Sequence, residues 1–577
     1  MNGSRNVSRI LAALAVACLA CADDGGPMGA PGGRNGIELL YATPRLRVVP
    51  AGAESSVRVA LVVRRQGEDG ESLPLEGARL VVAREEGKGE LSSASATTGP
   101  DGLAAVDVRM PAVPDLTRLV FRMESDAQSY LPFDVVTAPL VEAGVEPGAI
   151  RDRLEVPKGG VLVRFHLAAD SEVVLIPYQT DVDRTGASYR LLYQGAQPGG
   201  GAAAFGANPP PQPQGLAAGE EAGDVVTEGG RRGSLGGSAV PQSLDIQSCR
   251  VSVSRHAPLR YLGTRVALYV DAPPDAHQAR IDSIGQAFDE EIFPTNQDRF
   301  GHTPDYDGNG VVIVVLTAAL EGVDGVYCDS IRKVSAEVLY VKWAATGPAE
   351  QVLSTLAHEH QHVINAGYHV LASGNVGDVR WLNEAMSFAS EVYSGYWRKT
   401  LLRTWQVLNG QNGGLSLLPL EYAQAFDDRY MAFAVYLEDR FGPGTLRALS
   451  QSGRRGIDNI EFVTGVPFED LLRDWFIALA VSNRGTTDDP RFTYRTIDLQ
   501  GMDAEIESCA CLPVTALSGM RAEPLHLSLP FDAARMLDRA DADYYRLVPP
   551  AGVEGTYDVY FDAFGREFVE LAVVRIR

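Results

Sequence analysis

Two histidines four positions apart, with a glutamate beside the first, can hold a metal and move a proton. In this chain they are His358, Glu359 and His362, within His358-Glu359-His360-Gln361-His362. On a helix, positions i and i+4 lie about 40° apart around the axis, so His358 and His362 project from one face. Two neutral imidazoles placed there can share one tetrahedral Zn2+. Glu359 lies about 100° round from His358, at the edge of that face. Its carboxylate can reach a zinc-bound water without displacing it. Zinc lowers the pKa of such a water toward ~7, and a carboxylate takes the proton as the water attacks a carbonyl. His360, about 200° round, is not counted as a ligand. The pentapeptide alone is equally compatible with a plain histidine pair on a helix surface or in a core.

A third ligand must come from another element. Glu384 stands in Trp381-Leu382-Asn383-Glu384-Ala385-Met386-Ser387, 384 − 362 = 22 positions after His362. The stretches Val352 to Ala357 and Val363-Ile364 are apolar and helix-compatible. Residues 370–379 are rich in Gly, Ser, Asn and Asp, which lets the chain reverse and a second helix bring Glu384 against the first. The alternative pattern HExxHxxGxxH, that of metzincins, needs Gly at 365 and His at 368. This chain has Asn365 and Tyr368 there, and Gly367 and His369 miss their places.

HExxH followed by a glutamate on the next helix resembles the gluzincin metallopeptidases. Asn383-Glu384-Ala385-Met386-Ser387 is similar to the third-ligand motif of the thermolysin family. Trp381-Leu382-Asn383-Glu384, with Glu391 seven on, is similar to that of aminopeptidase N relatives. Over residues 260–485 the chain resembles the hyicolysin-like peptidase family. The resemblance rests on Phe300-Gly301, Asp305-Tyr306-Asp307-Gly308-Asn309-Gly310, Ala357-His358-Glu359 with Gln361-His362-Val363-Ile364-Asn365, and the WLNEA segment. It implies a zinc endopeptidase. Phe388 stands where the thermolysin motif continues with Asp, so another group must orient His358; Glu391 is a candidate, against its reading as a surface glutamate. The relatives' downstream tyrosines make Tyr430 the first choice for an oxyanion donor, followed by Tyr368 and His369, each of which also reads as a packing residue.

The remaining residues must position and deliver this site. Of 577 residues, 51 are Lys or Arg and 74 Asp or Glu, a formal charge of 51 − 74 = −23. No basic surplus is available for nucleic acid. Hydrophobic residues make up 45% and charged residues 22% of the chain, enough apolar side chains for packed cores, so global disorder is excluded. Arg5 and Arg9 precede an apolar run from Ile10 to Ala20, too short to span a bilayer of about 30 Å. Ala17-Cys18-Leu19-Ala20-Cys21 resembles a bacterial lipobox, with Cys21 the lipid acceptor and Cys18 its rival; a plain secretory signal is the alternative. The four later cysteines, Cys249, Cys328, Cys509 and Cys511, allow two disulfides in an oxidising compartment, with Cys249–Cys328 as one pairing to consider.

The expected organisation is a signal peptide over 1–21, a tether over 22–36 and an Ig-like β-sandwich over 37–137. A β-rich segment over 138–196 and a Gly/Pro-rich linker over 197–248 follow. The zinc peptidase domain is expected over 249–485 and a C-terminal β-domain over 486–577. Thr98-Gly99-Pro100-Asp101-Gly102-Leu103-Ala104 before Val106-Asp107-Val108 resembles invasin-type bacterial Ig-like domains. The fold class is therefore multidomain: all-β N-terminal modules, an α+β gluzincin-type metallopeptidase domain and a C-terminal β-domain. Asp305 to Gly310 resembles the first half of an EF-hand loop, but its twelfth position is Leu316, not the bidentate Glu that calcium needs; a tight turn into the next strand is the simpler expectation. The expected function is hydrolysis of peptide bonds in a protein or peptide substrate by a secreted or surface-anchored bacterial protein. The alternative is an inactive peptidase-like surface lipoprotein acting as an adhesin or binding protein.

Overall fold

The computed structural model describes residues 37–577 apart from 68–70, 127, 144–145, 185, 196–239, 247–254, 272–276, 321, 328–336, 344–347, 373–378, 409–416, 419–428, 503–521 and 567. The expectations for the signal peptide, for the tether, for Cys21 and for the four later cysteines lie outside the described residues.

Residues 37–138 form two facing sheets. One orders Ile37–Tyr41, Ser55–Gln66, Leu103–Met110 and Glu90–Leu91, with Ser72–Pro74 beside the second strand. The other orders Leu46–Pro50, Tyr130–Ala138, Asp115–Met123, Arg79–Glu86 and Ser95–Thr97. Alternating residues of both close one core, among them Val59, Leu61, Leu80, Val106, Phe121 and Phe133, the inward set of a sandwich. The Thr98–Gly102 turn is tied at both ends. Thr98 Oγ1 accepts from Ala78 N at 2.9 Å, and Gly102 N donates to Gly99 O at 2.9 Å. Gly102 has φ +74 and would place a Cβ 2.5 Å from Val63 O, so no side chain fits.

The second sandwich differs from the expected order. The segments 138–196 and 486–577, read as two units, pair strand for strand. Val161–Leu167 runs antiparallel to Gly555–Asp562, with Val161 opposite Phe561. Val173–Gln179 runs antiparallel to Val569–Arg575, and Ala187–Tyr193 to Phe531–Leu537. The Arg164 guanidinium holds Asp558 through two bonds of 2.7 and 2.8 Å. The chain leaves this sandwich after Tyr193 and re-enters it at Glu523, so what lies between is an insertion. Each strand's pattern shows that it has a buried face but not which strand it pairs with, which is why one domain read as two.

Within the insertion, a six-stranded sheet orders Ser243–Ile246, Arg255–Leu262, Val266–Val270, Val312–Thr317, Val338–Lys342 and Gly325–Tyr327. Ser243–Ile246, expected in the linker, is an edge strand. The three central strands are parallel, and Val266–Val270 and Val312–Thr317 are buried on both faces, hence their continuous apolar runs. Gly325–Tyr327 closes the other edge, antiparallel to Val338–Lys342.

Nine α-helices lie among the described residues: α1 Gln278–Ala287, α2 Phe293–Phe300, α3 Ala349–Ala366, α4 Arg380–Tyr393, α5 Arg398–Leu408, α6 Arg429–Phe441, α7 Thr445–Gln451, α8 Gly456–Thr464 and α9 Phe468–Val481. Helix α3 lays Val352, Leu353, Leu356, Ala357 and Val363 in the core it shares with the sheet. Its Ile364 joins the helical core built by α4, α6 and α9. The second sandwich is fastened to that core. Val174, Ile176 and Tyr178 belong to it, Tyr178 meets the Phe476 ring at 6.3 Å, and Tyr544 Oη donates to Phe476 O at 2.8 Å. That second burial leaves the 173–179 strand with no exposed face. No helix among the described residues is long and apolar enough to cross a membrane.

A chain truncated before Glu523 leaves the 161–167 and 173–179 strands without their antiparallel partners. Limited proteolysis with mass spectrometry should then show cleavage within 140–193 while the 37–138 sandwich stays resistant. Equal resistance of both segments would contradict the pairing.

Candidate metal centre

Helices α3 and α4 bring His358, His362 and Glu384 together. One donor atom of each lies within 4.8 Å of the others. Glu384 Oε2 is 3.2 Å from His358 Nε2 and 3.7 Å from His362 Nε2. The two imidazole rings stand edge to face, 4.9 Å apart. The three side chains keep 13%, 13% and 18% exposure, so the cluster is sheltered but reachable.

The outer nitrogens are occupied, which fixes where the inner ones point. His358 Nδ1 lies 3.0 Å from Glu391 Oε1. Glu391 is buried, and its other oxygen accepts from Ser354 Oγ and, at 2.5 Å, from Thr400 Oγ1. The surface reading of Glu391 is thereby corrected: a turn count along α4 cannot show that α3 and α5 close over this residue. Phe388 does not orient His358 but packs its ring against it, 4.6 Å away at 71°. His362 Nδ1 lies 3.0 Å from Ser387 Oγ, which donates to Gln361 Oε1 at 2.5 Å. Both Nε2 atoms therefore face Glu384.

The electrostatics agree. Burial opposes ionisation of Glu384, but the His362 and His358 imidazoles outweigh it, with a smaller contribution from Arg380, and hold the carboxyl at about 2. Burial likewise disfavours charge on His358, yet bonding to Glu384 and Glu391 raises its pKa well above the ordinary value. The pocket thus attracts positive charge. Two imidazole nitrogens and an ionised carboxylate oxygen, each turned to one point, fit the three-ligand open set that Zn2+ uses in hydrolytic sites.

Glu359 sits beside this set, bridged to the sheet. Its Oε2 accepts the Tyr327 N–H at 2.7 Å. Burial raises its pKa, opposed by His362 and His358 and aided by Glu384. The edge strand comes this close because of Gly325. A Cβ there would lie 2.3 Å from Thr355 Cγ2 and 2.8 Å from Glu359 Oε1.

The other candidates lie elsewhere. His360 is buried with its ring stacked on Phe293 at 5.2 Å and its Nε2 2.8 Å from Thr303 Oγ1; burial pushes it down to about 3. Tyr430 is 1% exposed, its ring 6.4 Å from Trp381 within the helical core. Tyr368 spends its hydroxyl on His302 N, 2.9 Å away, and on Gln451 Nε2 at 3.2 Å. His369 is buried in a π-helical turn, Gly367–Ala372. Ser354, Ser387, Thr400 and Tyr327 were not legible as site residues. Only Ser387 stood in a motif, and the rest reach the site through tertiary packing.

No protein-family model matches the chain. It is similar to the neutral metalloprotease ShpI of Staphylococcus hyicus, 29% identical over 155 residues, covering 23% of this chain and 35% of that protein. The chain thus spans about a third of that relative's length. Among solved structures it is similar to the D00–D0 domain of intimin (17% identity, 15% of this chain and 42% of that one, TM-score 0.13). It is also similar to the Yersinia pseudotuberculosis adhesin InvE (13% identity, 28% and 47%, TM-score 0.15). Both scores are too low to carry fold or function across.

Replacing Glu391 by Gln or Ala removes the carboxylate that holds His358 Nδ1. Zinc affinity, read by competition with a chromogenic chelator, should fall about 10–100-fold, and Ala should cost more than Gln. Unchanged affinity in both variants would reduce Glu391 to a packing residue.

Proposed function

We propose that this chain is a zinc metallopeptidase of the gluzincin type, with His358, His362 and Glu384 as ligands and Glu359 as general base. The observation that supports it most is the convergence of two Nε2 atoms and the Glu384 carboxylate beside Glu359, on the α3–α4 helix pair. The distant likeness to a metalloprotease points the same way. Zinc, when bound, would supply a Lewis acid that acidifies water and polarises a carbonyl.

The chain's own residues do the rest. Glu391 and Ser387 hold the two imidazoles by their outer nitrogens. Glu384 brings one negative charge. Glu359, whose pKa burial raises, takes a proton from the attacking water and can return it to the leaving amine. The Tyr327 N–H steadies the Glu359 carboxylate. No oxyanion donor is assigned, since Tyr430 lies in the core. The substrate class is a protein or peptide, and export with lipid attachment at Cys21 belongs to the same reading, resting on the motif in residues 17–21.

Glu359→Gln keeps the shape but cannot accept the proton. Hydrolysis of an unfolded protein should fall by about 10²–10⁴-fold while zinc stays near one per chain by elemental analysis. 1,10-Phenanthroline should abolish the wild-type activity. A zinc-loaded wild type that cleaves nothing in a broad panel of unfolded proteins and peptides would support the inactive surface-protein reading instead.

In a bacterial host, radiolabelled palmitate should attach to the wild type and not to Cys21→Ser. Equal labelling of that variant would move the acceptor to Cys18, and an unlabelled wild type would mean plain secretion.

A further inference from the structure

A second cluster of donors lies at the turn between α2 and the Val312–Thr317 strand. Asp305, Asp307 and Glu337 each offer a carboxylate oxygen within 4.8 Å of the others. The first two belong to Asp305-Tyr306-Asp307-Gly308-Asn309-Gly310, where Gly308 and Gly310 have φ of +71 and +75. The third comes from a different place, the residue before the Val338–Lys342 strand. Glu337 is locked in register there, its carbonyl accepting from Ile313 N at 2.9 Å.

Glu337 is the independent observation. It is 1% exposed, yet its carboxylate faces two others. Among the described residues no Lys, Arg or His pairs with Glu337, Asp305 or Asp307, and the Glu337 side chain is met by the Tyr306 backbone N–H of the same turn. A buried carboxylate with no counter-charge is costly unless a proton or a cation joins it. Burial, opposed by the bond from Tyr306 and aided by both aspartates, pushes Glu337 up to about 7, and burial raises Asp307 as well.

We infer that Asp305, Asp307 and Glu337 form a calcium site, in which Glu337 supplies the carboxylate that the loop's own twelfth position lacks. Leu316 at that position is fully buried in the central strand and offers no oxygen. Three carboxylates without a nitrogen or sulfur donor select a hard cation. One exposed partner, Asp305, leaves room for the several waters that a six- to eight-coordinate Ca2+ accepts. The site is structural. Residues just before it brace α3: His302 N donates to Tyr368 Oη, Thr303 bonds His360, and Pro304 lies under Gly367, where a Cβ would come within 3.1 Å. A cation that fixes the 305–310 turn to the sheet also fixes this brace.

The turn contains its own reporter, because Tyr306 sits between the two aspartates. With the full chain, Tb3+ should show tyrosine-sensitised emission that Ca2+ displaces and an equal concentration of Mg2+ does not. Calorimetry should give Ca2+ binding at about 10⁻⁴ M or tighter. Asp307→Asn and Glu337→Gln should each weaken it about 10-fold or more. Tyr306→Phe should reduce the emission and keep the calorimetric binding, which would place the ion at this turn. No Ca2+ heat in the wild type up to millimolar concentration, or unchanged affinity in the folded variants, would each overturn the assignment. Should Glu337→Gln fail to fold by circular dichroism, the exposed Asp305→Asn decides by the same criteria.

Discussion

Three carboxylates, Glu359, Glu384 and Glu391, surround two imidazoles in a space that solvent barely reaches. Such a group cannot be left to find its own geometry, since each misplaced charge costs several kcal/mol when buried. The fold's answer is to spread the group over two helices and to hold each member from outside. Helix α3 lies against the sheet, α4 against the helical core, and Glu391 is gripped from α3 and from α5 by Ser354 and Thr400. The site is therefore as rigid as the packing of four elements, not as flexible as one helix.

The sheet edge has a direct part in this. Tyr327 reaches Glu359 through its backbone, so the contact depends on how closely the edge strand approaches α3 and not on the side chain at 327. Gly325 sets that approach. A residue with no Cβ on the edge strand and a β-branched Thr355 on the helix interlock, and a methyl group on the glycine would push strand and carboxylate apart. In the coupling of backbone spacing to the Glu359 environment, a position with no functional group of its own governs a chemical property.

The HExxH helix and Glu384 were readable because α-helical spacing is local: two histidines at i and i+4 share a face whatever the rest of the chain does. The first sandwich was readable because alternation and the Thr98–Gly102 turn are also local. Glu391 was ambiguous for the opposite reason, since its burial depends on α5, which no pattern along α4 reveals. Tyr430 stood in a plausible place in the sequence but lies inside the apolar contacts of Trp381 and the helical core. No local pattern marks Glu337, because it lies 337 − 307 = 30 positions beyond Asp307 and only the parallel register of two strands brings it back.

The split sandwich has a consequence for how the molecule is made. Strands 161–167 and 173–179 leave the ribosome long before 555–562 and 569–575 exist. At about 5–20 residues per second, synthesis of the intervening stretch, 522 − 193 = 329 residues, takes on the order of tens of seconds. Through that interval, the nascent strands 161–167, 173–179 and 187–193 carry unsatisfied edges that invite pairing with other chains. The inserted unit, whose sheet and helices are contiguous in sequence, can close first and bring Tyr193 and Glu523 near each other as the last strands arrive. The sandwich then closes only when residues 523–575 have been made, and a chain interrupted before them is an aggregation hazard rather than a shorter active protein.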